Sequence, residues 1–186
     1  MASERWEIDP AHSGIHFSVR HLVVSKVRGQ FNQWKTVLEI DDSDPARSRI
    51  EVHVDAASVE THEAKRDAHL RSPDFFDVEK FPELVFKSRL VEKHGDDGYR
   101  LTGDLTIRDV TREVVLDIEV GGRVKDPWGN QRVGFAATAA IDRSAFGLTW
   151  NMALEAGGVM VGDRVQIEVE VEAVRQAAAA PAVTAA

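Results

Sequence analysis

The sequence predicts an all-β fold of about eight antiparallel strands with short helical pieces. Three observations carry this expectation. Apolar and polar residues alternate with a period of two in stretch after stretch, Gly, Pro and Asx clusters separate most of the stretches, and only one short segment has the composition of a helix. Strict alternation gives each strand one apolar and one wet face, which is the pattern of an antiparallel sheet.

The elements follow in chain order. Ile15, Phe17 and Val19 alternate with His16, Ser18 and Arg20, and residues 34–40 form a second stretch. Ile50, Val52 and Val54 alternate with Glu51, His53 and Asp55. Leu84 and Phe86 come next, then Leu101, Gly103, Leu105 and Ile107. Val114, Leu116, Ile118 and Val120 face away from Asp117 and Glu119, and a further stretch runs from Val133 through Phe135 to Ile141. Val165, Ile167, Val169 and Val171 stand against Gln166, Glu168, Glu170 and Glu172. Turns are expected at residues 42–45, 94–98, 121–122 and 126–130, where Gly, Pro and Asx tolerate tight backbone geometry. Residues 63–71, rich in Ala, Lys, Arg and Leu, read as a short helix ending near Ser72-Pro73. Residues 148–162 have no clean period and read as a loop, or strand and loop mixed, folded over something apolar. Residues 5–175 form one domain, and the Ala-rich residues 176–186 are expected to be a frayed tail.

Eight such strands can make a sandwich or a closed barrel. The small residues Gly103, Ala136, Ala137, Ala139 and Ala140 leave room inside, and a barrel of this size is either filled by its own side chains or holds one ligand. Composition narrows the chemistry. The chain has 186 residues, 43% of them apolar, enough for a substantial core. With 31 acidic against 23 basic residues the net charge is −8, which argues against nucleic acid or an anionic lipid surface held by bulk charge attraction. The absence of Cys removes disulfides, thiolate metal sites, iron–sulfur clusters and Cys nucleophiles. No run reaches the ~20 apolar residues of a membrane helix, and the N-terminus carries no signal-peptide pattern, so a cytoplasmic protein without stable membrane insertion is expected.

Specific words then add to the pattern. Asp9-Pro10-Ala11-His12-Ser13 leads into Phe17-Ser18-Val19-Arg20-His21-Leu22, followed by Val27-Arg28-Gly29-Gln30-Phe31. Later come Arg66-Asp67-Ala68-His69-Leu70-Arg71-Ser72, Asp74-Phe75-Phe76-Asp77 and Phe81-Pro82. Thr102-Gly103-Asp104-Leu105-Thr106, Val110-Thr111-Arg112, Leu154-Glu155-Ala156-Gly157-Gly158 and Val161-Gly162-Asp163 complete the set. In this order the words resemble the YceI-like family of polyisoprenoid-binding proteins, over about residues 5–174. The resemblance implies an extended lipocalin-like antiparallel β-barrel with an elongated apolar pore. It further implies a long-chain isoprenoid or fatty-acid-like ligand and a homodimer. Many family members carry a secretion signal, and here the barrel words begin almost at Met1.

The alternation and the resemblance together nominate a pore lining of Phe17, Val19, Trp34, Phe86, Leu101, Leu105 and Leu116. Ile118, Phe135, Phe146, Trp150, Met152 and Met160 extend it. A dry tunnel suits a long hydrocarbon because each buried CH2 contributes about 0.8 kcal/mol. Arg20, His21, Arg66 and His69 could contact a lipid head group, or could tether the helix to the barrel; Arg66 and His69 share a helix face. Other chemistries fit poorly. His12, His16, His21, His53, His62 and His69 crowd the first 70 residues, yet no HExxH word or Cys accompanies them. No Gly-x-Ser-x-Gly elbow and no phosphate-cradling loop opens a helix, and no cofactor is called for. The expectation is a non-catalytic lipid carrier; its rivals are a hydrolase or isomerase using the same cavity and a stress-related interaction module.

Overall fold

The computed structural model describes residues 4–176 except 23, 42, 97 and 156. The turn residues Asp42 and Asp97, Ala156 and the expected tail beyond 176 lie outside the described residues.

The strands are β1 (Glu4–Ile8), β2 (Gly14–His21), β3 (Ser25–Phe31), β4 (Trp34–Ile40), β5 (Arg49–Asp55) and β6 (Val59–Glu60). After helix α1 (Ala64–Arg71) come β7 (Glu83–His94), β8 (Gly98–Ile107), β9 (Val110–Lys125), β10 (Gln131–Asp142) and β11 (Val161–Arg175). Every pairing is antiparallel, and the order β1-β4-β5-β7-β8-β9-β10-β11 closes on itself because β11 also pairs with β1. The result is a closed eight-stranded barrel. Strands β2, β3 and β6 extend it from the edge of β11.

The ring and the sequence reading agree on eight but differ in membership. The alternation nominated β2 and missed β1, β3 and β6. β1 and β2 both lie along β11, at its C-terminal and N-terminal parts respectively, and Asp9-Pro10 interrupts them. Pro10 cannot donate a ladder hydrogen bond, so the chain leaves the sheet for one 3-10 turn, Pro10–His12, capped by the Asp9 carboxylate. The break leaves β1 as a five-residue piece too short to read on its own.

Closure depends on register at β1. Trp6 stands opposite Leu38 of β4 and Arg175 of β11. It is 4% exposed and packs with Leu38, Val133 and Ala173 in a cluster that locks the seam. A larger cluster, including Phe31, Val59, Ile107, Val114 and Phe146, occupies the other half of the barrel.

Two glycines serve aromatic packing rather than empty space. A Cβ on Gly29 would lie 2.3 Å from the Phe17 ring, and one on Gly103 would lie 2.4 Å from the Phe86 ring. The end of each ring therefore lies against the backbone of the neighbouring strand. The room expected at Gly103 is occupied by Phe86.

Candidate ligand cavity

The barrel encloses a cavity of about 1020 Å³. From Tyr99 to Ile107, both on its wall, β8 climbs on the order of 25 Å along the strand, or roughly 20 Å along the axis of a tilted barrel. The middle is apolar: Phe17, Phe86, Leu105, Leu116, Ile118 and Ile167 face inward because alternation puts their polar neighbours outside.

Polar groups gather at the two ends. One end is marked by Asp41, Ser48, Lys93, Asp96, Tyr99 and Arg123. Asp41 is buried there. Its carboxylate accepts from Ser43 Oγ and from the amides of Ser43 and Asp44, with Arg47 at 3.0 Å. The Ser43 hydroxyl bond, two amide bonds and the Arg47 charge hold its carboxyl below the usual range against the burial penalty. Asp41 is thus a buried turn former. Arg123 sits 5.8 Å over the Trp6 ring.

The opposite end is built by α1, the tip of β2 and the segment 148–162. Arg108 of the β8–β9 turn donates to the Phe75 carbonyl, fixing this side of the barrel beneath Phe75. His69, Phe75 and Trp150 form a mutual ring cluster, with the imidazole edge-on to the indole at 4.5 Å between centroids. His69 Nε2 is also 2.8 Å from Asp74. Arg143 is 6% exposed and donates to the carbonyls of Leu148, Trp150, Val161 and Gly162. Its charge lies in a socket of peptide dipoles, and burial lowers its pKa from the ordinary arginine value. The guanidinium pins the strap 148–162 across the barrel end.

Of the nominated lining residues, Phe17, Val19, Trp34, Phe86, Leu101 and Leu105 are on the cavity wall. So are Leu116, Ile118, Phe135, Trp150 and Met160. Two are not. Phe146 is turned into the packed core by the 3-10 turn Arg143–Phe146 and is 2% exposed, and Met152 is 51% exposed on the strap. Among the polar candidates, His21, Arg66 and His69 reach the cavity. Arg20 does not, because β2 points Val19 and His21 inward and so points Arg20 outward, opposite Lys26. Arg66 is committed to tethering: it donates to Thr61 Oγ1 and to the Thr61 carbonyl. Asp67 receives the Thr61 amide and hydroxyl, and Arg71 donates to the carbonyls of Ala57 and Val59. These three side chains sew α1 to the chain around β6.

The sequence reading missed Lys65, Arg143 and the whole far polar end. Lys65 is exposed, belongs to the cavity wall and has no ion pair among the described residues. It lies one residue before Arg66, within reach of the same helix-face argument. Arg143 gave no local signal, because its four partners are backbone carbonyls.

Among the described residues one group of side chains, Asp9, His12 and Glu172, could converge on a cation. Arg132 already occupies its centre, with Nη1 2.9 Å from Asp9 and bonded to Glu172, while Nε is 3.0 Å from Asp126. The arginine bond is the first cause that holds Asp9 down to about 2, and it also holds Asp126 at about 2 despite burial. This is an ion-pair network joining the Pro10–His12 turn to β10 and β11.

These features have close counterparts elsewhere. The family model of the YceI-like domain matches residues 6–173. The chain belongs to the YceI-like family. UPF0312 proteins of Staphylococcus aureus strains bovine RF122 / ET3-1 and N315 are each 37% identical over 165 residues, covering 88% of this chain and 94% of theirs. The YceI protein of Campylobacter jejuni is 33% identical, with a TM-score of 0.73 over 85% of this chain and 90% of that one. Burkholderia cenocepacia BcnA shares the fold at 22% identity, with a TM-score of 0.78 over 89% of this chain and 99% of that one. So does a polyisoprenoid binding domain from Saccharophagus degradans implicated in plant cell wall breakdown, at 13% identity, with a TM-score of 0.65 over 93% of this chain and 99% of that one. The YceI-like barrel read from the sequence is the fold of this chain.

Proposed function

We propose that this YceI-like protein is a non-catalytic carrier that sequesters a long-chain isoprenoid, polyprenyl or isoprenoid quinone, or a similar amphiphile. The observation that carries the reading is an elongated cavity in the barrel, apolar along its length and polar at its ends. The likeness to the polyisoprenoid binding domain of Saccharophagus degradans supports the same ligand class.

Magnitudes favour a long chain. At about 30 Å³ per small heavy group, the liquid share of one water, the cavity holds on the order of 30 heavy atoms, or roughly six five-carbon units. Ten carbons at about 0.8 kcal/mol each gain about 8 kcal/mol gross. Association costs roughly 4–15 kcal/mol, so such a chain hardly binds, whereas one filling the cavity retains a large surplus. Lys65, His69 and His21 stand where a polar head would emerge at the α1 end. A homodimer in the cytoplasm belongs to the same proposal, read by sedimentation and cell fractionation.

Titration of delipidated protein with isoprenoid alcohols of increasing length, followed through the fluorescence of Trp34 and Trp150 on the wall, tests the reading. Affinity should climb steeply with length and level off near roughly six units, where the cavity volume is used up. Equal, weak responses at every length would contradict it.

A further inference from the structure

The α1 end of the barrel carries an outer surface that the carrier reading leaves unused. Leu22 at the end of β2 is 38% exposed, Val24 is 83% exposed, and Met152 and Val159 on the strap are 51% and 45% exposed. Single exposed apolar residues are ordinary, but three of these are joined. The Leu22 amide donates to the Met160 carbonyl at 2.8 Å, the Met160 amide donates to the Met152 carbonyl at 2.9 Å, and Ala153 bridges Val159. Hydrogen bonds thus hold Leu22, at the end of β2, beside Met152 and Val159 of the strap, and Val24 stands exposed two residues further along the chain. The base of this apolar projection is the cavity, since His21, Met160 and Val161 belong to the cavity wall.

Charge beside the projection is one-sided. Arg20, Lys26 and Arg28 are exposed on the outer face of β2 and β3 and have no ion pair among the described residues. Arg20 and Lys26 are direct cross-strand partners, an arrangement that costs stability unless an anion sits over both. Nearby acids are few: Glu155 on the strap is exposed, Asp163 is engaged by the Ser144 amide and hydroxyl, and Asp142 lies 3.9 Å from Arg164. The net charge of −8 does not cancel this cluster at contact range, because charges beyond about 8–10 Å are screened at physiological salt.

We propose that this projection docks peripherally on an anionic lipid bilayer. Leu22, Val24, Met152 and Val159 enter the acyl boundary while Arg20, Lys26 and Arg28 meet the lipid phosphates. The cavity end is thereby held against the membrane, so a chain passes between bilayer and barrel without crossing water. This inference rests on the carrier reading for its purpose but not for its test. Apolar tips and a cation cluster acting together suit an interfacial surface, and among the described residues no helix is long and apolar enough to cross a membrane.

The test is flotation of the full chain with vesicles of phosphatidylcholine alone or mixed with phosphatidylglycerol. Wild type should float with the anionic vesicles, and added salt should release it. Val24→Asp should lower the bound-to-free ratio by about tenfold or more, through lost apolar contact and a new like charge. Lys26→Glu with Arg28→Glu should lower it by at least about 25-fold, at about fivefold per cation removed. Both variants should keep the wild-type melting temperature and co-purified chain, which shows that they fold. Failure to float, equal flotation with neutral vesicles, or variants that float like wild type would each overturn the proposal. So would a dimer that Val24→Asp dissolves, since the tip would then face a second copy. A protein that holds its chain without floating sinks docking and leaves the carrier; one that floats but never holds a chain does the reverse.

Discussion

Ala137 offers a way to shorten the cavity without touching its packed walls. Its register partners are Ile118 on β9 and Val169 on β11, all three on the cavity wall midway along the barrel. Ala137→Phe adds a ring of six carbons, roughly a fifth of the 30-atom space, at about 30 Å³ each. A ligand that fills the cavity loses contact with about six CH2 equivalents, worth about 5 kcal/mol, or an affinity loss on the order of a thousandfold. A chain roughly a fifth shorter should bind nearly as before. Overpacking a filled core costs about 1–3 kcal/mol, whereas a ring entering open space should leave the melting temperature within a few degrees of wild type. The assay pairs a chain-length series with thermal unfolding, and Ala137→Ile serves as a milder variant. If the longest chains bind Ala137→Phe as tightly as wild type, the ligand does not lie along this cavity. If the variant melts far below wild type, the space beside Ala137 is packed core and the volume argument fails.

Other expectations concern what holds the cavity. Arg143→Met removes four hydrogen bonds and leaves the carbonyls of Leu148, Trp150 and Gly162 without this donor, while Val161 keeps that of Asn151; at about 1 kcal/mol or more per lost partner the melting temperature should fall by about 10 °C and amide exchange should quicken in residues 148–162. Unchanged exchange there would refute its pinning role. Asp9 and Asp126 have carboxyl pKa values held near 2 against about 3.9 in an unfolded chain. Their stabilisation is complete above about pH 4 and disappears as pH falls toward 2, and Arg132→Met should flatten that acid limb in urea titrations. His53, raised by Glu51 and then Glu83, contributes in the opposite sense: its share is full below about pH 6.5 and disappears at higher pH. His53→Gln should remove that decline. His69→Gln should weaken ligand retention with little change in melting temperature, because Asp74 is the partner lost and the half-exposed ring pair remains; equal loss of both would make His69 a structural brace.

Much of the wall was legible because one residue's place on a strand determines its neighbours' faces. Leu116 and Ile118 point inward for the same reason that Asp117 points outward, and the helix at residues 64–71 followed from composition and Ser72-Pro73. The same rule, carried one step from Val19, would have placed Arg20 outside. Phe146 and Met152 escaped because they lie off the strands, where apolar character does not specify direction: one is turned inward by a 3-10 turn, the other left on the strap. β1 escaped because Pro10 cut its stave, and closure depends on its long-range pairing with β11, which no local period reveals. The polar ends are assembled from residues as distant as Asp41 and Arg123, so they became visible only with the barrel closed.

The central claim is that the barrel holds a long apolar chain, and the most direct measurement is the mass of the freshly purified protein under native and denaturing ionisation. The native mass should exceed that of the 20.6 kDa chain by one molecule, released on denaturation and extractable into organic solvent as a polyprenyl or acyl lipid. A native mass equal to the bare chain, from a protein that also takes up no added isoprenoid, would contradict it.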